Sequence, residues 1–156
     1  MEKKIVDKSG SIGIAGEFFV AAELTRRGYV ASLTSKNTKA IDILASNKEG
    51  SKTVAIQVKT SDNKKTNRWK MSEASEKVIS ENLFYILVNM REGEIPNYYI
   101  VPSAVVATKI KTDYENWLAT PGKKGQKRNP TTMRIFTFED SEQEENYKDA
   151  WESLGL

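Results

Sequence analysis

Apolar positions fall into short blocks whose spacing changes along the chain. The run IAGEFFVAAELTRR is rich in strong helix formers and stops at Gly28, a fitting C-cap, which predicts a first helix over 14–27. The next blocks have strand character: YVASLTS over 29–35, AIDILAS over 40–46 and TVAIQVKTS over 53–61, with NKEGSK as the turn between the last two. A polar, basic connector, DNKKTNRWKMSEASEK, precedes LFYILVNM (83–90) and NYYIVP (97–102), both apolar enough to be buried strands.

Pro102 closes the last of these strands, and Ser103 is placed to cap a short helix through AVVATKI, with DYENWL as a further helical turn. TPGKKGQKRNP reads as a loop and MRIFTF as a late strand. SEQEENYKDAWESL reads as a closing acidic helix over 141–154, with Ser141 and Glu144 as a capping box. No repeat, linker or low-complexity tract interrupts the pattern. The order predicts a single mixed α/β domain over 1–156, a central sheet of about five strands flanked by helices.

Composition removes much chemistry. The chain of 156 residues has no Cys and no His, which excludes disulfides, thiolate or imidazole metal sites, cysteine nucleophiles and His-based triads. Carboxylate, amide, hydroxyl and Lys chemistry remains, and oxygen donors favour a hard cation such as Mg²⁺. No apolar run approaches the roughly 20 residues of a membrane span, and the N-terminus lacks a signal-peptide stretch. A soluble, cytoplasmic protein is expected.

The net charge of +3 hides an asymmetry: only one of the 24 basic residues but seven of the 21 acidic ones lie in 139–156. The body is basic and suggests a polyanionic partner such as nucleic acid. Two basic stretches are suited to a phosphate backbone: Lys64, Lys65, Arg68 and Lys70 around Trp69, and Lys123, Lys124, Lys127 and Arg128 in the late loop. No base-reading element is visible, so sequence specificity is not expected.

Several polar residues sit in apolar surroundings. Along 53–60, Val54, Ile56 and Val58 alternate with Ala55, Gln57 and Lys59, so Gln57 and Lys59 share a face. Asp42 lies between apolar neighbours in AIDILA, where an unpartnered charge is costly, and a hairpin through 47–52 brings it near Gln57 and Lys59. On the first helix Glu17 falls in the stripe of Ile14, Val20, Ala21 and Leu24, whereas Glu23 pairs with Arg26 and Arg27. Thr60 and Ser61, at a strand end and a turn, read as structural. Singly each polar residue has a structural explanation; together they form an oxygen-rich divalent-metal site beside a cation.

These residues resemble the PD-(D/E)XK nuclease superfamily. The matching stretches are Gly16-Glu17 opening the first helix, Ile41-Asp42 on the second strand and Gln57-Val58-Lys59 on the third, followed by LFYILVNM and YYIVPS; the resemblance covers about residues 13–107. The Q-x-K form is similar to that of Mrr-type restriction enzymes and resolvase-like nucleases. Ile41 stands where the usual Pro would be, and Gln57 replaces the commoner acid.

The resemblance implies a restriction endonuclease-like core of α-β-β-β-α-β order and an Mg²⁺-dependent endonuclease acting on DNA, with Mn²⁺ as a substitute. Asp42, the Gln57 side chain and the Val58 carbonyl would hold the metal, Glu17 would complete its shell, and Lys59 would orient or deprotonate water or stabilise developing charge. Cutting two antiparallel strands favours a homodimer. Two alternatives stay open: a nuclease-fold module that binds nucleic acid or a protein without useful catalysis, and an interaction protein using its acidic C-terminal helix.

Overall fold

The computed structural model describes residues 8–35 and 40–156. Residues 1–7, part of the N-terminal stretch inspected for a signal peptide, lie outside them. Helix α1 (Lys8–Arg26) leads into strands β1 (Val30–Leu33), β2 (Ile43–Ser46) and β3 (Thr53–Ser61). Strand β4 (Trp69–Ser72) and a 3₁₀ turn (Glu73–Glu76) follow, then β5 (Leu83–Asn89), β6 (Asn97–Pro102) and helix α2 (Ser103–Ala119). Strand β7 (Met133–Phe136), helix α3 (Ser141–Tyr147) and a 3₁₀ turn (Trp151–Leu154) complete the order.

A five-stranded sheet runs β1-β2-β3-β5-β6, antiparallel except for the parallel β3–β5 pair, in register Gln57↔Tyr85 and Lys59↔Leu87. Every residue of β5 is buried, as the unbroken apolar run LFYILVN requires of a strand covered on both faces. On one face α1 sets Val20 and Leu24 against Ile43, Ile56, Val58 and Ile86. On the other, Tyr85, Leu87, Tyr99 and Val101 meet α2 and a second, two-stranded sheet of β4 and β7 through Val106, Ile110, Trp69 and Phe136.

The mixed sheet and flanking helices agree with the sequence pattern; several local expectations do not. Helix α1 already includes Lys8, well before the expected start at 14, and is carried through Gly10 and Gly13, each of which weakens a helix by only about 1 kcal/mol. Its buried line is Gly16, Val20 and Leu24, and Ile14 lies off it, 42% exposed. The connector after β3 contains β4, whose short alternation of Trp69 and Met71 with Lys70 and Ser72 is masked by the surrounding charge. The expected short helix and further turn after Pro102 are one continuous helix.

Ser103 does not cap α2. It is the buried first helical residue, and its hydroxyl donates to the Ser80 carbonyl and accepts the Ser80 N–H, tying α2 to the turn before β5. At α3 the cap is Asp140, accepting the Gln143 N–H at 2.8 Å, one residue before the expected Ser141. Glu144 instead accepts from the Tyr99 hydroxyl and from Asn67. The expected helix over 141–154 breaks after Tyr147: Lys148 bridges to Tyr99, Asp149 takes a positive φ of 49° while its N–H bonds the Tyr98 carbonyl, and Trp151 enters the α1-side core. No helix among the described residues is long and apolar enough to cross a membrane.

Candidate active site

The site grows from a mismatch in strand length. Strand β2 pairs with β3 only as far as Ile43↔Ile56, while β3 continues to Ser61 beside β5. Beyond Ile56 one edge of β3 is therefore open on the β2 side. Ala55 N–H bonds Asn82 and the Ser61 carbonyl accepts from Met90, so odd-numbered residues turn their main-chain groups toward β5. Ile56 and Val58 turn theirs toward the opening.

Asp42 fills part of this opening from the residue before β2. Its N–H donates to the Ile56 carbonyl at 2.8 Å and its carbonyl accepts the Thr34 N–H at 2.9 Å, so its backbone is held from both sides. Its carboxylate Oδ2 accepts the Val58 N–H at 2.7 Å, the short geometry of a charge-assisted bond. The N–H and carbonyl of one strand residue point the same way, so the Val58 carbonyl faces the opening that Asp42 occupies.

Side-chain alternation assigns the rest. Ile43 and Ile56 both point into the α1-side core, which puts Asp42, Gln57 and Lys59 on the opposite face, all half-buried. The structure thus brings together three of the residues singled out in the sequence, with the Val58 carbonyl at their edge. Glu17 belongs to α1, which packs on the other face of the sheet. Its neighbour Gly16 packs so closely on Thr60 that a Cβ at Gly16 would stand 1.9 Å from the Thr60 hydroxyl, and that hydroxyl is buried without a hydrogen bond. Gly16 is therefore the residue that lets the helix cross the strand just beyond Lys59, and Glu17, half-buried, follows it.

Sequence reasoning does not single out Tyr85, which lies beside Gln57 in the β3–β5 register. Its phenolic oxygen is buried beside the Ser75 side chain. Burial pushes its pKa up, the Ser75 side chain opposes the shift, and the Asp42 carboxylate adds to it. The only trace of it in the sequence is one polar atom inside an apolar run.

Among the described residues no group of three or more acidic, His or Cys side chains is arranged to hold a metal. The donor set at the opening is one carboxylate, one amide and one main-chain carbonyl. These are hard oxygen donors of the kind Mg²⁺ accepts while keeping several waters, so the residues present fit that ion through few protein ligands.

Of the basic stretches, Lys64, Lys65, Arg68 and Lys70 are exposed, but Trp69 is not available to a nucleic acid. It is 1% exposed, donates its indole N–H to the Val88 carbonyl at 2.9 Å and packs edge-on against Tyr99 and Phe138. The β4 alternation that sends Lys70 outward sends Trp69 inward. In the late loop Lys123, Lys124 and Lys127 are exposed, while Arg128 folds back, donating to the Thr120 carbonyl at 2.7 Å with its guanidinium over the Trp117 ring.

No protein-family model matches the sequence, and no curated protein matches it. Two solved structures are similar. One is a bacterial homing endonuclease, with a TM-score of 0.52 at 14% identity over 90% of this chain and 86% of that one. The other is Hjc, a Holliday junction resolvase of the archaeal hyperthermophile Archaeoglobus fulgidus, with a TM-score of 0.47 at 13% identity over 84% of this chain and 85% of that one. Taken with the mixed five-stranded sheet, the third strand that outruns the second and the crossing first helix, the first of these likenesses shows that the chain has the restriction endonuclease-like fold.

Proposed function

We propose that this protein is a metal-dependent nuclease that hydrolyses phosphodiester bonds of DNA. The observation that carries the reading is the opening beside β3, where the Asp42 carboxylate is fixed by the Val58 N–H and the Val58 carbonyl, Gln57 and Lys59 border the same space. The similarity in fold to a homing endonuclease supports it.

Asp42, Gln57 and the Val58 carbonyl would hold Mg²⁺ or Mn²⁺, with Glu17 joining from the helix side. Bound there, the ion would polarise a phosphate oxygen and lower the pKa of a water. Asp42 gives one oxygen to Val58 and keeps the other for the site, so its direction is set before substrate arrives. Lys59, two residues along the strand from Gln57, holds its ammonium on the substrate side of the sheet. It orients the attacking water and stabilises the charge that develops on the phosphate. The exposed cations of 64–70 and 123–127 hold the backbone. The protein would act in the cytoplasm, and a homodimer would present two sites to two strands.

Gln57 favours a second reading. An amide in place of an acid leaves one carboxylate at the opening from this face, which suits a module that binds nucleic acid with little catalysis. Incubating supercoiled plasmid and labelled single-stranded, duplex and branched DNA with Mg²⁺, Mn²⁺ or EDTA separates the two. Cutting by wild type in metal, lost in Asp42→Ala and Lys59→Ala, is the expected result. Salt-sensitive retention without cutting is the outcome of the module.

A further inference from the structure

A second cleft, of about 540 Å³, lies away from the Asp42 opening, between α2 and β7. Its volume is in the range of small-ligand sites. A ladder of two aromatic rings between two guanidinium groups runs along it, Arg128 joining from outside the lining. Arg134 lies 3.3 Å over the Tyr114 ring, Tyr114 stacks on Trp117 with centroids 5.8 Å apart at 22°, and Arg128 lies 4.7 Å over Trp117.

The two ends of the ladder differ. Arg134 is 5% exposed, ion-paired with Glu76 and bonded to the Thr131 carbonyl at 2.7 Å, so the inner end is fixed. At the outer end Trp117 is 38% exposed and Arg128 is only half-buried. Arg68 also lines the cleft. Pairing of β4 with β7 thereby brings the first basic stretch to the same cleft that the second reaches through Arg128. The one carboxylate in the lining, Asp113, is neutralised by Lys109 at 2.7 Å.

We propose that this cleft binds unpaired nucleotides of a DNA strand, one base stacking on the Arg128 guanidinium that caps the Trp117 ring while Arg68 and the late-loop lysines hold the flanking phosphates. The proposal rests on the nucleic-acid reading of the Asp42 site and narrows its substrate to DNA with a single-stranded segment. Aromatic faces accept any base once it is unstacked, whereas a duplex hides its base faces, and an arginine can stack on a base or turn to a phosphate. Cations alone would suit any polyanion; a guanidinium backed by an aromatic ring and flanked by two cationic stretches selects the single strand.

Trp117 also reports on the site, because Trp69 and Trp151 are 1% and 2% exposed. The full chain carrying Asp42→Asn, in EDTA, is titrated with short oligo-deoxythymidylate, the equivalent blunt duplex and thymidine monophosphate. Intrinsic fluorescence and the anisotropy of labelled oligonucleotide are followed. Saturable quenching by the single strand is expected, with affinity falling about tenfold in Trp117→Ala and in Arg128→Ala. The surface variant Arg68→Gln should weaken binding and flatten its salt dependence. Equal binding of the duplex, equal affinity for the mononucleotide, or single-strand affinity indifferent to all three variants overturns the proposal. A wild-type chain that cuts plasmid yet shows no Trp117-dependent binding overturns this inference alone. Trp117-dependent binding by a wild-type chain that cuts nothing upholds the cleft and overturns the nuclease alone.

Discussion

The Asp42 carboxylate accepts the Val58 N–H at 2.7 Å, across the gap left where β3 outlasts β2. The bond does two things: it satisfies a strand N–H that has lost its partner, and it aims the second carboxylate oxygen. Substitution can separate them. Asp42→Asn keeps an oxygen acceptor for Val58 but loses the charge, so cleavage should disappear while the urea midpoint moves little. Asp42→Ala loses both, and should also lose about 1–2 kcal/mol of stability because the N–H is left half-buried and unpaired. Equal stability losses in the two variants would show that the charge, rather than the hydrogen bond, holds this corner together.

Gly16 and Thr60 fix how α1 crosses β3. A Cβ at Gly16 would lie 1.9 Å from the Thr60 hydroxyl and 3.1 Å from its Cβ, so Gly16→Ala should destabilise by about 1–3 kcal/mol through overpacking. Thr60→Ala removes the obstructing hydroxyl, which makes no hydrogen bond, and should return part of the loss. Denaturant unfolding of the four proteins of this cycle measures the coupling, and strict additivity would mean that helix and strand do not meet here as closely as described.

Trp69 is expected to matter for folding and not for substrate. It fills the core between β4, β6 and β7, with Tyr99 at 5.5 Å and Phe136 at 6.4 Å between ring centroids. Trp69→Ala should cost about 3–5 kcal/mol, whereas Lys70→Ala, on the outward side of the same strand, should leave stability nearly unchanged. A Trp69 variant that unfolds at the wild-type urea concentration but binds DNA poorly would reverse this assignment.

These contrasts show what the sequence can and cannot carry. Long apolar runs such as LFYILVNM made β5 legible because, among the described residues, no other element buries seven consecutive residues so completely. The Asp42, Gln57 and Lys59 face followed from period-two alternation and a hairpin turn, both local. The capture of Val58 N–H by Asp42 was hidden, because it depends on where β2 stops, a tertiary matter. Strand β4 was hidden for a similar reason: four residues in a charged connector become a strand only by pairing with β7, far along the chain. The tail misled because its acidic pattern is helical, yet Asp149 turns at a positive φ so that Trp151 can reach the core. Tyr114, Trp117 and Arg128 give no periodic signal beyond an ordinary helix face, and their ladder appears only when the late loop folds back.

Tyr98 gives the protein an alkaline limit. Burial pushes its phenol up to about 12 from 10.0, with the Glu23 and Asp149 carboxylates adding to the shift and Arg26 opposing it. Between those two values the unfolded chain releases the proton and the folded chain keeps it, so the folded state binds more protons and stability falls as pH rises. The contribution is fully present below pH 10 and lost by about 12, on the order of 3 kcal/mol. Tyr98→Phe keeps the ring against Trp151 and removes the titration, so urea unfolding from pH 9 to 12 should give a shallower decline than wild type. Parallel profiles would assign the alkaline loss to other groups.

Gln57→Glu tests the metal reading from the opposite direction to loss-of-function variants. Gln57 is half-buried, beside Tyr85 in register and on the face that Asp42 and Lys59 share. A second carboxylate beside Asp42 repels it, so without metal the variant should be less stable than wild type by about 1 kcal/mol. The same charge makes a better cation site, and an ion that binds only the folded state stabilises it by about 2.7 kcal/mol at a hundredfold excess over its dissociation constant. The two effects have opposite signs, so the order of stability should invert: wild type above Gln57→Glu in EDTA, and below it in millimolar Mn²⁺. Adding Asp42→Asn should abolish the inversion by removing the first ligand. Urea midpoints for the three proteins in both conditions decide it, and a Gln57→Glu chain whose deficit is the same with and without Mn²⁺ would place the metal, if any, away from this strand.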